Sequence, residues 1–279
     1  MNSSLKNHDI KVLMYHRIVK NDAPKNATYF DVTEDDFRQQ LHFLDSFNFT
    51  PITLEDYQLY LNGDLTLPKK PIILTFDDGH TDMKETALPL LREFNMKAVV
   101  FVLGNRKMKY SNWDEKSAKN SLMTDQQILD LRAEGFEIGA HSMTHPKLPL
   151  LTTAEIKREI LGAKLTIESL LGEQVISFAY PYGSVNKKVQ TIVAQAGFKF
   201  GCGVYTGPPR FGGNDYDIRR LAITYNTNKM GFLLRLLTPF QYMEWLYGKV
   251  RNNGKMEEDH CPEKKAPIPE YDFTTTNNL

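Results

Sequence analysis

The sequence predicts an α/β protein: a distorted (β/α) barrel of about seven parallel strands in a single domain. Three observations carry this. Short apolar runs alternate with longer segments of helical periodicity. No tight turn joins one apolar run to the next, so neighbouring strands pair in parallel through helical crossovers. About seven such units suit a closed barrel better than an open sheet.

The strands are expected at 11–18, 71–77, 97–103, 135–141, 176–182, 198–205 and 218–223. A helix over 34–47 places Phe37, Leu41 and Leu44 on one face. A helix over 82–95 groups Ala87, Leu90, Leu91 and Phe94. Helices 124–134 and 153–171 each open with a capping-box spacing, Thr124 with Gln127 and Thr152 with Glu155. Helix 186–196 ends at Gly197, a C-cap. Residues 105–121 are polar and aperiodic, a loop long enough for a lid over the strand ends. Residues 1–9 read as an extension, 10–228 as the domain, 229–250 as a C-terminal amphipathic helix and 251–279 as a disordered tail. No internal repeat is visible.

Composition narrows the class. Thirty-four basic residues balance 34 acidic ones, so no basic field argues for nucleic acid. Two cysteines, Cys202 and Cys261, make neither a metal cluster nor an expected disulfide. The first residues lack a signal-peptide pattern, and no run reaches the roughly 20 apolar residues that span a bilayer. The expected location is therefore cytoplasmic or peripheral to the inner membrane face. Residues 230–253 mix Phe, Leu, Trp and Tyr with basic residues. They are expected to pack on the barrel, with peripheral membrane contact as the sharper alternative.

In barrels and open α/β sheets, ligands gather at the carboxyl ends of strands. Those ends hold His16, Asp77 and Asp78, His141 and His145, the run Tyr180, Pro181, Tyr182 and Gly183, and Arg219 or Arg220. In "GFEIGAHSMTHP" the two histidines have an i, i+4 spacing, but Pro146 keeps His145 out of the α region. They are expected in a tight loop, aimed at one point. One carboxylate with two imidazoles makes a three-ligand site with open positions, suited to a catalytic divalent ion. A cation also explains the adjacent aspartates of "LTFDDG": one binds it while the other accepts a proton from water.

"LTFDDG", "HSMTHP" and "FAYPYG", in this order, resemble the polysaccharide deacetylase family, the NodB-homology domains of carbohydrate esterase family 4. The resemblance covers roughly residues 10–225. It implies a distorted (β/α) barrel and metal-dependent removal of acetyl groups from N-acetylated sugars of a polysaccharide or glycoconjugate. It implies Asp77 as general base and Asp78, His141 and His145 as ligands of one divalent ion, zinc first, with cobalt, nickel or iron as alternatives. It implies Tyr180, Pro181, Tyr182 and Gly183 as the substrate-groove motif, with the Tyr182 N–H helping to hold the oxyanion.

The chain departs from the commoner family pattern in two places. Ala179 and Tyr180 stand where an arginine usually precedes "PY", and after residue 146 the only histidine is His260. Both departures resemble the poly-N-acetylglucosamine deacetylase branch, which implies His16 as the general acid, supplied by the first strand. Alternation in "DIRRLAI" favours Arg220 over Arg219 as the residue that orients the base. Tyr110 and Trp113 are further candidates for stacking on sugar rings. The competing readings are an inactive carbohydrate-binding module on the same barrel, an O-acetyl esterase and a non-haem iron oxygenase.

Overall fold

The computed structural model describes residues 10–22, 28–113, 120–204, 211 and 213–239. The expected extension at 1–9, the tail at 251–279, Cys261, His260 and most of 230–253 lie outside them.

Among the described residues, seven parallel strands form the barrel path. In spatial order they are β10 (Leu221–Ala222), β1 (Lys11–Tyr15), β5 (Pro71–Phe76), β6 (Val99–Val102), β7 (Glu137–Ala140), β8 (Ser177–Ala179) and β9 (Phe200–Cys202). A parallel bridge between Cys202 and Ile218 links β9 to the segment entering β10, so the sheet curls back on itself. This is the expected distorted barrel. Two features were not expected. The short strand β4 (Thr50–Ile52) takes the first half of one β5 edge, and β6 takes the second half. A separate two-stranded parallel sheet, β2 (Arg17–Val19) with β3 (Asp31–Thr33), follows the end of β1.

Strand alternation sorts the side chains into two layers. Val12, Ile73, Val99, Phe101, Ala179, Phe200 and Cys202 pack together inside the barrel. Leu13, Leu74, Val100, Ile138 and Phe178 pack outward against the helices. Inside, space is tight at Gly139, where an added Cβ would lie 2.4 Å from a Phe101 ring carbon. Gly139→Ala is expected to lower stability by about 1–3 kcal/mol, the usual cost of overpacking, read as a shift of the denaturant midpoint.

The helices cover the outside: α1 (Glu34–Ser46), α2 (Leu54–Asn62), α3 (Leu88–Glu93), α4 (Asp125–Ala133), α5 (Thr153–Leu171), α6 (Lys187–Gln195) and α7 (Lys229–Leu237). Both expected capping boxes are present, and α2 carries a third, Thr53 with Asp56, that periodicity did not reveal. The helix expected over 82–95 begins instead as a π-turn, Met83–Ala87, before α3. Leu88 N–H donates to Met83 O, five residues back, and Pro89, which follows it, has no N–H to donate to Glu85 O, so the regular α-helical ladder is interrupted here. In α7, Phe232 and Leu236 are buried, and Phe232 stacks on Phe43 of α1 at 6.4 Å. Met230, Leu234 and Leu237 are exposed. No helix among the described residues is long and apolar enough to cross a membrane.

Candidate metal centre and active site

Period-2 alternation sends Ile73, Thr75 and then Asp77 toward the barrel interior. A regular strand would turn the next residue outward. Asp78 does not follow the strand: its φ is 72°, in the left-handed region. That turn lets two adjacent carboxylates serve one site. Gly79 continues it at φ 72°, with Val102 packed close by.

The second half of the site comes from the loop after β7. His141 continues the inward face of Gly139. Ser142 (φ 61°) and His145 (φ 64°) are both left-handed. The helical reading of H-x-x-x-H therefore fails, as expected, although His145 goes to the left-handed rather than the extended region. Glu159 of α5 fixes this loop. Its carboxylate accepts from Met143 N–H and Thr144 N–H at 2.9 Å and from Thr144 Oγ1 at 2.7 Å. Sequence reading missed Glu159. The signal was an acidic residue on the helix face that buries Ile156, Ile160, Ala163 and Ile167.

The three expected ligands meet. Asp78 Oδ1 lies 3.3 Å from His141 Nε2 and 3.3 Å from His145 Nε2. All three residues are buried, and their ligand atoms lie within 4.8 Å of one another. A four-coordinate ion with bonds of about 2.0–2.1 Å spaces its ligands about 3.3–3.4 Å apart, so the observed spacing fits. Two further observations agree. Asp78 Oδ1 is buried without a hydrogen bond. His141 Nδ1–H donates to Ala179 O at 2.9 Å, which turns Nε2 toward the carboxylate. Burial pulls the His145 imidazole down to about 4 despite nearby Asp78, so the ring is neutral and able to ligate. Burial opposes charge on His141 as well, yet Asp78 and Asp77 outweigh it and raise its pKa. A cation would replace the proton those carboxylates hold there. Burial alone would raise Asp78; His141, His145 and His80 more than offset it and hold the carboxyl well below the usual range.

Asp77 is held differently. Arg220 Nη1 and Nη2 donate to its two oxygens at 2.7 Å each. Arg220 is buried, and it also donates to Gly203 O and Thr75 Oγ1. Arg219 instead pairs with Asp217 at 3.2 Å. Burial pushes the Asp77 pKa up, and Arg220, His141 and His16 together bring it below the ordinary value, so the carboxylate stays ionised. Arg220→Leu is expected to destabilise the fold by about 3–5 kcal/mol, because it strands a buried charge. Part of that loss should return in the double variant with Asp77→Asn, measured by denaturant unfolding.

His16 follows β1 and lies in the same cavity, about 460 Å³, as Asp77, Asp78, His141 and His145. Its ring stacks on Phe30 at 4.1 Å, and burial lowers its pKa although Asp78 and Asp77 oppose this. Tyr182 and Gly183 line the cavity, and Tyr182 has φ 57°. Tyr180 and Pro181 need correction as groove residues. Tyr180 is fully buried, its hydroxyl donates to Tyr216 O at 2.8 Å, and neither residue lines the cavity. Strand alternation explains this, since Tyr180 continues the outward face of Phe178. His80 was also missed: its Nε2 lies 3.3 Å from Asp78 Oδ2.

The expected lid is pinned rather than loose at both ends. Ser111 N–H donates to Asn120 O and Leu122 N–H to Lys109 O. Arg106 binds Asp125, Leu103 O and Met123 O. Trp113 stacks on His145 at 4.4 Å, and residues 114–119 lie outside the described residues.

Comparison with known proteins agrees with this architecture. Residues 64–201 match the family model for polysaccharide deacetylase. The chain is 23% identical over 240 residues to a poly-beta-1,6-N-acetyl-D-glucosamine N-deacetylase of Staphylococcus aureus, covering 78% of this chain and 80% of that one. It is 23% identical to the YxkH protein of Bacillus subtilis over 215 residues, 77% of this chain and 71% of that one. The deacetylase PplD of Streptococcus pyogenes, solved with acetate, superposes with a TM-score of 0.71 at 25% identity, covering 81% of this chain and 97% of that one. The barrel, the three motifs and these matches agree, and residues 64–201 are a polysaccharide deacetylase domain.

Proposed function

We propose that this protein is a metal-dependent hydrolase that removes N-acetyl groups from amino-sugar units of a polysaccharide or glycoconjugate and releases acetate. One observation carries the reading. A buried carboxylate, Asp77, is clamped by Arg220 beside the Asp78–His141–His145 cluster, and His16 shares the cavity. A module that only binds sugar has no use for an ionised, oriented base next to a ligand triad.

Asp78, His141 and His145 would hold a divalent ion, which would supply Lewis-acid polarisation of the acetyl carbonyl and acidify water. Asp77, kept ionised and aimed by Arg220, takes a proton from the attacking water, whose oxygen bonds to the carbonyl carbon. The Tyr182 N–H donates to the oxyanion that forms. His16, whose protonated form Asp78 and Asp77 favour against burial, gives its proton to the leaving nitrogen as the C–N bond breaks, leaving acetate and a free amine, and the proton taken up by Asp77 restores the imidazolium. Phe30 holds the His16 ring by stacking.

The test is acetate release from N-acetylglucosamine oligomers by protein as purified, after chelation, and after zinc or cobalt is returned. The expected result is release that chelation removes and metal restores. No release from a folded protein that still binds metal would favour the binding-only reading. Release from O-acetylated but not N-acetylated sugars would identify an esterase, and metal-dependent oxygen uptake would identify an oxygenase.

A further inference from the structure

Among the described residues, four Phe, Tyr or Trp side chains are exposed: Tyr29, Tyr110, Tyr182 and Tyr225. Their positions share a pattern. Tyr110 follows β6, Tyr182 follows β8, Tyr225 follows β10, and Tyr29 lies between β2 and β3, beyond the end of β1. Every exposed Phe, Tyr or Trp ring among the described residues thus sits on the carboxyl-end face of the barrel, where the candidate site opens. Scattered surface aromatics would also occur on the helices and on the opposite face.

Tyr110 and Tyr182 lie on the side of the cavity already considered for sugar stacking. Tyr29 and Tyr225 are on the other side, and sequence reading did not assign them. They are 56% exposed each, among the most exposed large hydrophobic side chains of the described residues. Their rings meet edge to face at 5.9 Å, which leaves ring surface open to solvent. Tyr225 N–H donates to Tyr29 O, so the two loops are tied together. From this pair, ring contacts lead inward: Tyr29 meets Phe30 at 5.2 Å, and Phe30 stacks on His16 at 4.1 Å. Phe30 and Thr28 line the cavity, so the platform is continuous with the site.

We propose that Tyr29 and Tyr225 form a distal subsite that stacks on a sugar ring of the same glycan chain whose neighbouring unit is deacetylated. The apolar face of a pyranose suits an exposed aromatic face, and tyrosine adds a hydroxyl for polar contact. With Tyr110 and Tyr182 opposite, aromatic rings then flank the reacting unit on both sides. The substrate class is a chain that enters and leaves the cavity, rather than a single sugar. This inference rests on the deacetylase reading above.

The experiment measures kcat/KM for acetate release on N-acetylglucosamine oligomers of increasing length, for the intact protein and for Tyr225→Ala, Tyr29→Ala and Tyr225→Trp. The expected result is a rise in kcat/KM with length that flattens in Tyr225→Ala and Tyr29→Ala. The long-to-short ratio should fall by about two- to tenfold, as loss of one aromatic contact gives, mainly through KM. Tyr225→Trp should restore the ratio. The ratio cancels a general loss of activity, and Tyr225→Ala remains informative if Tyr29→Ala disturbs the loop that holds Phe30. Deacetylation with an unchanged length ratio in both alanine variants would overturn the subsite and leave the enzyme reading intact. If no oligomer is deacetylated, binding of the longest oligomer to the metal-loaded protein decides. Affinity that weakens in Tyr225→Ala supports the subsite, and affinity that does not change overturns it.

Discussion

Asp77→Asn should lower acetate release by about 10²–10⁴-fold, the range for loss of a general base, without loss of bound metal. Asparagine keeps the shape of the side chain and one oxygen for Arg220, whose guanidinium holds both Asp77 oxygens at 2.7 Å in the native protein. What it removes is the negative charge that accepts the proton. The measurement pairs single-turnover acetate release with metal content after dialysis. A thermal scan checks that the buried arginine has not unfolded the barrel. Near-native turnover would move the base to another residue and remove the main reason for reading the site as hydrolytic.

His141→Ala has the other large expected effect, and it should strike metal and activity together. His141 supplies Nε2 to the cluster while its Nδ1–H is fixed on Ala179 O. Removing an outer-shell partner of a metal usually costs 10–100-fold in affinity; removing a ligand should cost at least about a hundredfold. Bound metal stabilises the folded state by about 2.7 kcal/mol at a hundred times Kd. Adding zinc should therefore raise the Tm of the native protein and leave that of His141→Ala unmoved. An equal rise in both would exclude His141 from the ligand set. His16→Ala provides the contrast, with slower acetate release and native metal affinity. Those three variants separate base, ligand and acid by two readouts.

Much of this architecture was legible because strand alternation and helix capping are local rules. Strands β1, β5, β6 and β7 follow their apolar runs, and the Thr124 and Thr152 boxes start α4 and α5 where expected. The strands β3 and β4 carry one aliphatic residue each, Val32 and Ile52, so no apolar run marks them, and β2 overlaps the end of the first expected strand. The site was legible in its residue types but not in its turns. Nothing in "DDG" states that Asp78 leaves the strand in a left-handed turn, and nothing in "HSMTH" announces Glu159 on a distant helix. Tyr180 shows the opposite failure. It sits inside a motif, but its alternation with Phe178 carries the ring away from the cavity into the core.

Among the described residues, six non-glycine residues have positive φ, and four of them, Asp78, Ser142, His145 and Tyr182, belong to the site. Each such residue sits in a sparsely populated backbone region, which persists only where surrounding structure enforces it. The chemistry is therefore not portable as a set of side chains. Grafting an aspartate and two histidines onto another barrel at the same Cα positions would aim them along ordinary strand and helix directions, and they would not converge. The transferable unit is the pair of bent loops with the Glu159 brace, and any redesign of the metal centre would have to carry that backbone with it.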